Sequence, residues 1–222
     1  MGRPVSAIRS TAGEIFKHSR RVKQTIVTLD MEGVLTPEIW IAVAEKTGIP
    51  ALRRTTRDEP DYDKLMRGRL KLLDANGLKL SDIQKVIAAL PLLPGAKDFL
   101  DELRSLSQVV ILSDTFEQFA LPLMRQLGMP TLLCHRLMVE NDHIAGYKIR
   151  IPDQKQKAVA AFKLMNYRVI AAGDSFNDTA MLAEAEVGFL FHAPLTITQQ
   201  FPQFRAFDTY RDLLDAIKAQ LS

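Results

Sequence analysis

Three short apolar runs in this 222-residue chain each stop at oxygen-bearing side chains, and that repeated ending constrains the fold more than any other feature. The first holds Ile26, Val27 and Leu29 within QTIVTLDMEGVL, residues 24–35, and ends at Asp30, with Glu32 and Gly33 next. The second, Val109 to Leu112, runs into Ser113-Asp114-Thr115. The third, Arg168 to Ala172, leads to Gly173-Asp174-Ser175-Phe176-Asn177-Asp178. Runs of this length suit buried strands of a parallel sheet, whose carboxyl ends are where α/β folds bind ligands. Helical patterns separate them, so the expected fold class is α/β, a doubly wound parallel sheet. Carboxylates gathered in one crevice repel one another unless a cation joins them. Oxygen ligands beside a phosphate are the preference of Mg²⁺.

In chain order, Thr36-Pro37-Glu38 predicts a helix over 37–47, with Thr36 as its cap and Gly48 as its end. Residues 53–63 are charged and aperiodic and read as a loop. Leu65, Met66, Leu70, Leu72 and Leu73 mark a helix, and Ser81 is expected to cap another that ends near Leu90. These helices interrupt the core after its first strand. The division expected is a basic extension over 1–23, a core of 24–37 and 92–222, and a small helical cap of 38–91 over the strand ends. Ala96, Phe99, Leu100 and Leu103 give the next helical face, and 116–127 a further helix. Residues 131–150 alternate around Asn141-Asp142 as a hairpin does. A helix over 153–165, a strand over 187–191 and a terminal helix over 210–221 complete the reading.

Charge narrows the partners. Residues 1–23 carry six basic side chains against Glu14, a local balance of +5, so the net +3 of the whole chain leaves −2 for the rest. That remainder has no basic excess for a nucleic acid. The segment itself reads as an upstream extension or mobile tail, although its Arg- and Ser-bearing, acid-poor composition also resembles an organelle transit peptide. No run is long and apolar enough for a membrane span. The single Cys134 gives no disulfide framework, which fits a reducing, cytoplasmic setting. His135, His143 and His192 lack metal-ligand spacing and read as structural or surface residues.

The motif Asp30-x-Glu32-Gly33-Val34, with Ser113 and the acids after the third strand, resembles the haloacid dehalogenase superfamily, and within it the phosphoserine phosphatase group. The likeness implies a Rossmann-like core and an Asp30 nucleophile that takes the phosphoryl group as an aspartyl-phosphate. It implies Glu32 as general acid/base, and a metal site of Asp30, Glu32 through its carbonyl, Asp174 and Asp178. Ser113, Asp114, Lys155 and Asn177 would form the phosphate site, with Lys157 the rival lysine. Glu38 would meet the substrate amine and Arg69, rather than Arg67, its carboxylate. Two departures stand out. Glu32 replaces the usual Asp, and Ser-Asp-Thr replaces the usual Ser-Gly-Gly. Both are similar to members that pass the phosphoryl group to homoserine, with Asp114 placed to admit the second amine. The implied protein is a monomer or homodimer acting on small phosphorylated molecules.

Overall fold

The computed structural model describes residues 23–55, 58, 59 and 61–221, so the expectations for the amino-terminal 22 residues lie outside it. Its centre is β1, Thr25–Leu29, in which all but the first residue are buried. On one side β1 pairs in parallel with β2, Gln108–Phe116, and on the other with β5, Arg168–Gly173. The full order is β4-β3-β2-β1-β5-β6-β7. Here β3 is Thr131–Glu140, β4 His143–Lys148, β6 Val187–Phe191 and β7 Arg205–Phe207. Every pairing is parallel except β3 with β4, the hairpin around Asn141 and Asp142, which both take positive φ. Strand order turns back at β1, and a crevice opens at such a switch point.

The two faces of the sheet bury different sets. One cluster holds Val27, Leu29, Phe99, Leu103 and Ile217 and runs on without a break into Trp40, Met66, Leu73 and Ile83. The other holds Ile26, Val110, Val159, Val169 and Leu182. The first arises because α1 (Ile39–Thr47), α2 (Tyr62–Ala75) and α3 (Leu80–Ala88) all lie between β1 and β2 in sequence, followed by α4 (Ala96–Leu106). The remaining helices are α5 (Glu117–Gln126), α6 (Gln154–Leu164), α7 (Thr179–Glu184), α8 (Leu195–Gln200) and α9 (Tyr210–Leu221).

Several local expectations are corrected. Thr36 does not cap α1: it is buried, its hydroxyl and N–H both donate to the Met31 carbonyl, and Glu38 takes the cap position without a side-chain bond. Ser81 lies inside α3, and its N–H and hydroxyl donate to the Asp142 carboxylate at 2.9 and 2.6 Å. A hairpin residue 61 positions away therefore caps that helix. A 3-10 turn over Pro50–Arg53 enters the expected loop, and α2 already begins at Tyr62. β2 continues beyond Leu112 to Phe116, but its pairing with β3 skips from Leu112 to Phe116. Ser113, Asp114 and Thr115 are released from the ladder at that irregularity, as bulges beside functional sites commonly release residues.

Candidate active site

The site begins at the end of β1. The Asp30 N–H donates to the Ala172 carbonyl of β5, which fixes the residue at the strand mouth with 5% of its surface exposed. Gly33 follows at φ +78°, and a Cβ built there would lie 2.4 Å from an Asp174 oxygen. Glycine lets the β1 turn and the β5 turn close on each other. Gly173 plays the matching part, since a Cβ there would fall 2.5 Å from the Asp178 side chain.

Lys155, buried in the first turn of α6, ties the two turns together. Its Nζ lies 2.8 Å from Asp30 Oδ1 and 2.7 Å from Asp178 Oδ1, with Asp114 farther off at 3.8 Å. The other oxygen of Asp178 accepts from the N–H groups of Asp174 and Ser175 and from the Ser175 hydroxyl. Asp178 is wholly buried and spends both oxygens on fixed partners. Lys157 instead reaches Asp153 at the surface. Loss of water works against the Lys155 charge, and the carboxylates of Asp178 and Asp30 outweigh it and hold the lysine protonated.

Asp30, Asp174 and Asp178 bring carboxylate oxygens within 4.8 Å of one another. Burial foremost, then the Asp178 charge, pushes Asp174 up to about 7 and raises Asp30 well above the usual range. A set of hard oxygen donors whose mutual repulsion one cation would relieve fits Mg²⁺. Glu32 is crowded as well: burial and then the adjacent Glu38, which shares a hydrogen bond with it, hold its carboxyl well above its ordinary range.

A cavity of about 250 Å³ opens from these groups toward α1 and α2. Its walls include Asp30, Glu32, Ser113, Asp114, Lys155, Asp174 and Asn177, and on the helical side Glu38, Trp40, Tyr62 and Arg69. Asp178 alone of the expected site residues stands behind the wall. Arg69 sits on the apolar stripe of α2, at helical spacing from Leu65, Met66 and Leu73. Its guanidinium lies 4.5 Å over the Trp40 ring and donates to the Arg54 carbonyl at 2.6 Å, while its Nε is buried without a partner. Arg67 faces outward to Asp63. That stripe was a usable signal: a cation spaced with the core leucines must enter the interior or break the pattern.

Sequence reasoning passed over four contributors. Tyr62 donates to the Asp114 carbonyl at 3.3 Å, and Trp40 forms the floor beneath Arg69. Gln154 and His135 are buried behind Asp114. Gln154 had a signal in its place directly before Lys155. His135 had none, because only the pairing of β3 with β2 carries it there.

A protein-family model described as haloacid dehalogenase-like hydrolase matches residues 25–186. Phosphoserine phosphatase ThrH of Pseudomonas aeruginosa is 62% identical over 85% of this chain and 92% of its own length. A phosphoserine phosphatase of Pseudomonas syringae pv. tomato is 61% identical over 85% of this chain and 80% of its own. In three dimensions, a phosphoserine phosphatase solved as a phospho-aspartyl intermediate analogue superposes with a TM-score of 0.71 at 18% identity, over 87% of this chain and 99% of that one. The chain, with its acids at the ends of β1 and β5 and a lysine bridging them, belongs to the haloacid dehalogenase-like hydrolases.

Proposed function

We propose that the chain is a Mg²⁺-dependent phosphoserine phosphatase that also passes the phosphoryl group to homoserine. One observation carries the reading: a single cavity is lined on the sheet side by Asp30 and Lys155 and on the helical side by Glu38 and by Arg69, whose Nε is buried without a partner. Such a cavity matches a small molecule with a phosphate, an ammonium and a carboxylate. The high identity to two proteins named phosphoserine phosphatase supports it.

In this reading residues 38–91 act as a cap and 24–37 with 92–222 as the catalytic body. Asp30 attacks phosphorus, the bond to the serine oxygen breaks, and the proton of Glu32, which its crowded carboxyl retains, goes to that oxygen. Ser113, Asn177 and Lys155 hold phosphoryl oxygens, and Glu38 and Arg69 meet the ammonium and carboxylate. Asp30, Asp174 and the Glu32 carbonyl, with Asp178 as support, would hold Mg²⁺, which would neutralise charge on the phosphoryl group. Glu32, now anionic, then deprotonates water or the homoserine hydroxyl for attack on the aspartyl-phosphate.

The test is product analysis with phosphoserine and Mg²⁺, with and without homoserine. Phosphohomoserine made at the expense of free phosphate is the expected result. Free phosphate alone would remove the transfer reaction, and no turnover would overturn the substrate.

A further inference from the structure

Phosphoserine accounts for one carboxylate and one guanidinium in the outer cavity, Glu38 and Arg69. Asp114, expected with Ser113 in the phosphate site, is left over, because its carboxylate has no hydrogen to donate to a phosphoryl oxygen. It is an exposed-edge carboxylate, 40% accessible, on the wall of a cavity that must also admit a phosphate dianion. An anion in that place weakens phosphate binding by like-charge repulsion unless a cation balances it. Lys155 does not serve, being 3.8 Å from Asp114 and engaged more closely by Asp30 and Asp178.

The residues behind Asp114 hold it still. Gln154, 2% exposed, donates from Nε2 to the Ser113 carbonyl and to Asp114 Oδ1, the latter at 3.1 Å. The Gln154 oxygen is fixed in turn by two donors from Arg150 at 3.3 and 3.1 Å, which settles the amide orientation. His135 accepts the Arg150 N–H on Nδ1, so the neutral ring carries its hydrogen on Nε2, 3.7 Å from Asp114 Oδ1. From the other side Tyr62, on α2, donates to the Asp114 backbone carbonyl. One carboxylate oxygen is thus held by a buried shell, and Oδ2, 3.8 Å from Lys155, makes no hydrogen bond among the described residues.

We infer that Asp114 is the ammonium site of the acceptor, so that the enzyme selects amino alcohols over plain alcohols and water. The inference rests on the proposed transfer reaction. In that step the acceptor hydroxyl oxygen bonds to phosphorus, the bond from phosphorus to the Asp30 carboxylate oxygen breaks, and the hydroxyl proton passes to Glu32. Asp114 takes no part in the bond changes. It anchors the ammonium, and Gln154 and His135 are positioning residues for it.

The experiment compares homoserine with 4-hydroxybutyrate, which lacks only the ammonium group, as acceptors from phosphoserine and Mg²⁺. The ratio of phosphorylated acceptor to free phosphate is read for wild type, Asp114→Asn and Asp114→Ser, with thermal melting of each variant alongside. Asparagine keeps the Gln154 bond and removes the charge. The wild type is expected to favour homoserine by about tenfold or more, the worth of one charge-assisted hydrogen bond. Both variants are expected to lose most of that preference. Should either folded variant keep it, Asp114 is not the site and the inference fails while the transfer reaction stands. Should the wild type hydrolyse phosphoserine and phosphorylate neither acceptor, the transfer reading fails and takes the inference with it.

Discussion

The two ends of the cavity are built on different principles. At the strand end, Asp30, Lys155 and Asp178 are buried and closed on one another by short ion pairs, with the N–H groups of Asp174 and Ser175 in the turn after β5 holding the second oxygen of Asp178. At the helical end, Arg69 rests on an aromatic face and a carbonyl, and one of its nitrogens has no partner. The side chains of the first end are held in place before substrate arrives, as preorganised charge stabilisation requires. The second is finished by the ligand, where binding energy can be released on recognition. In the proposed function, chemistry and recognition are thus divided between the sheet and the inserted helices.

Substitutions can break this division. The largest effect is expected from Asp30→Asn, which removes the nucleophile: turnover should fall by on the order of a thousandfold or more, and acid quenching should trap no phosphoenzyme. Next is Lys155→Met. It strands two buried carboxylates, so a loss of about 3–5 kcal/mol in denaturant unfolding is expected together with collapse of kcat. Arg69→Met should behave in the opposite sense. KM for phosphoserine should rise by about a hundredfold, while stability should hold or improve, because a buried guanidinium with no direct ion pair among the described residues gives way to an apolar chain of similar length. If both variants lost equal stability, the contrast between the two ends would be wrong. A smaller loss of stability than for Lys155→Met is expected for Gly33→Ala. Its left-handed backbone costs about 1 kcal/mol, yet activity should fall more than that cost suggests because the new methyl displaces Asp174.

The strand end was also the more legible in sequence. An apolar strand announces itself over four or five residues, and an acid at its end is visible without any partner. Helix α6 was placed correctly over Gln154–Leu164 for the same reason. Misreadings arose where a local motif was overruled by a distant group. Thr36 looks like a cap until the turn over Gly33 claims its hydroxyl. Ser81 looks like one until Asp142 supplies the cap from the hairpin. β7, three residues long, and α8, six, are too short to show a period. His135 lies beyond any local rule, since β3 must first pair with β2 to bring it behind Asp114.

The hairpin that supplies Asp142 has a mechanical consequence. Its residues also grip α2, through Tyr147 to Asp63 at 2.5 Å and His143 to Asp74 at 3.1 Å, and Gln84 of α3 donates to the Gln118 carbonyl of α5 at 2.8 Å. All of these fastenings lie on the β2, β3 and β4 side of the sheet, where the inserted helices hang like a door on its hinges. The opposite jamb is the β5 turn, where Phe176 and Asn177 stand exposed. The inserted helices are thus latched along one side of the sheet, and Asn177 stands at the exposed rim of the cavity on the other.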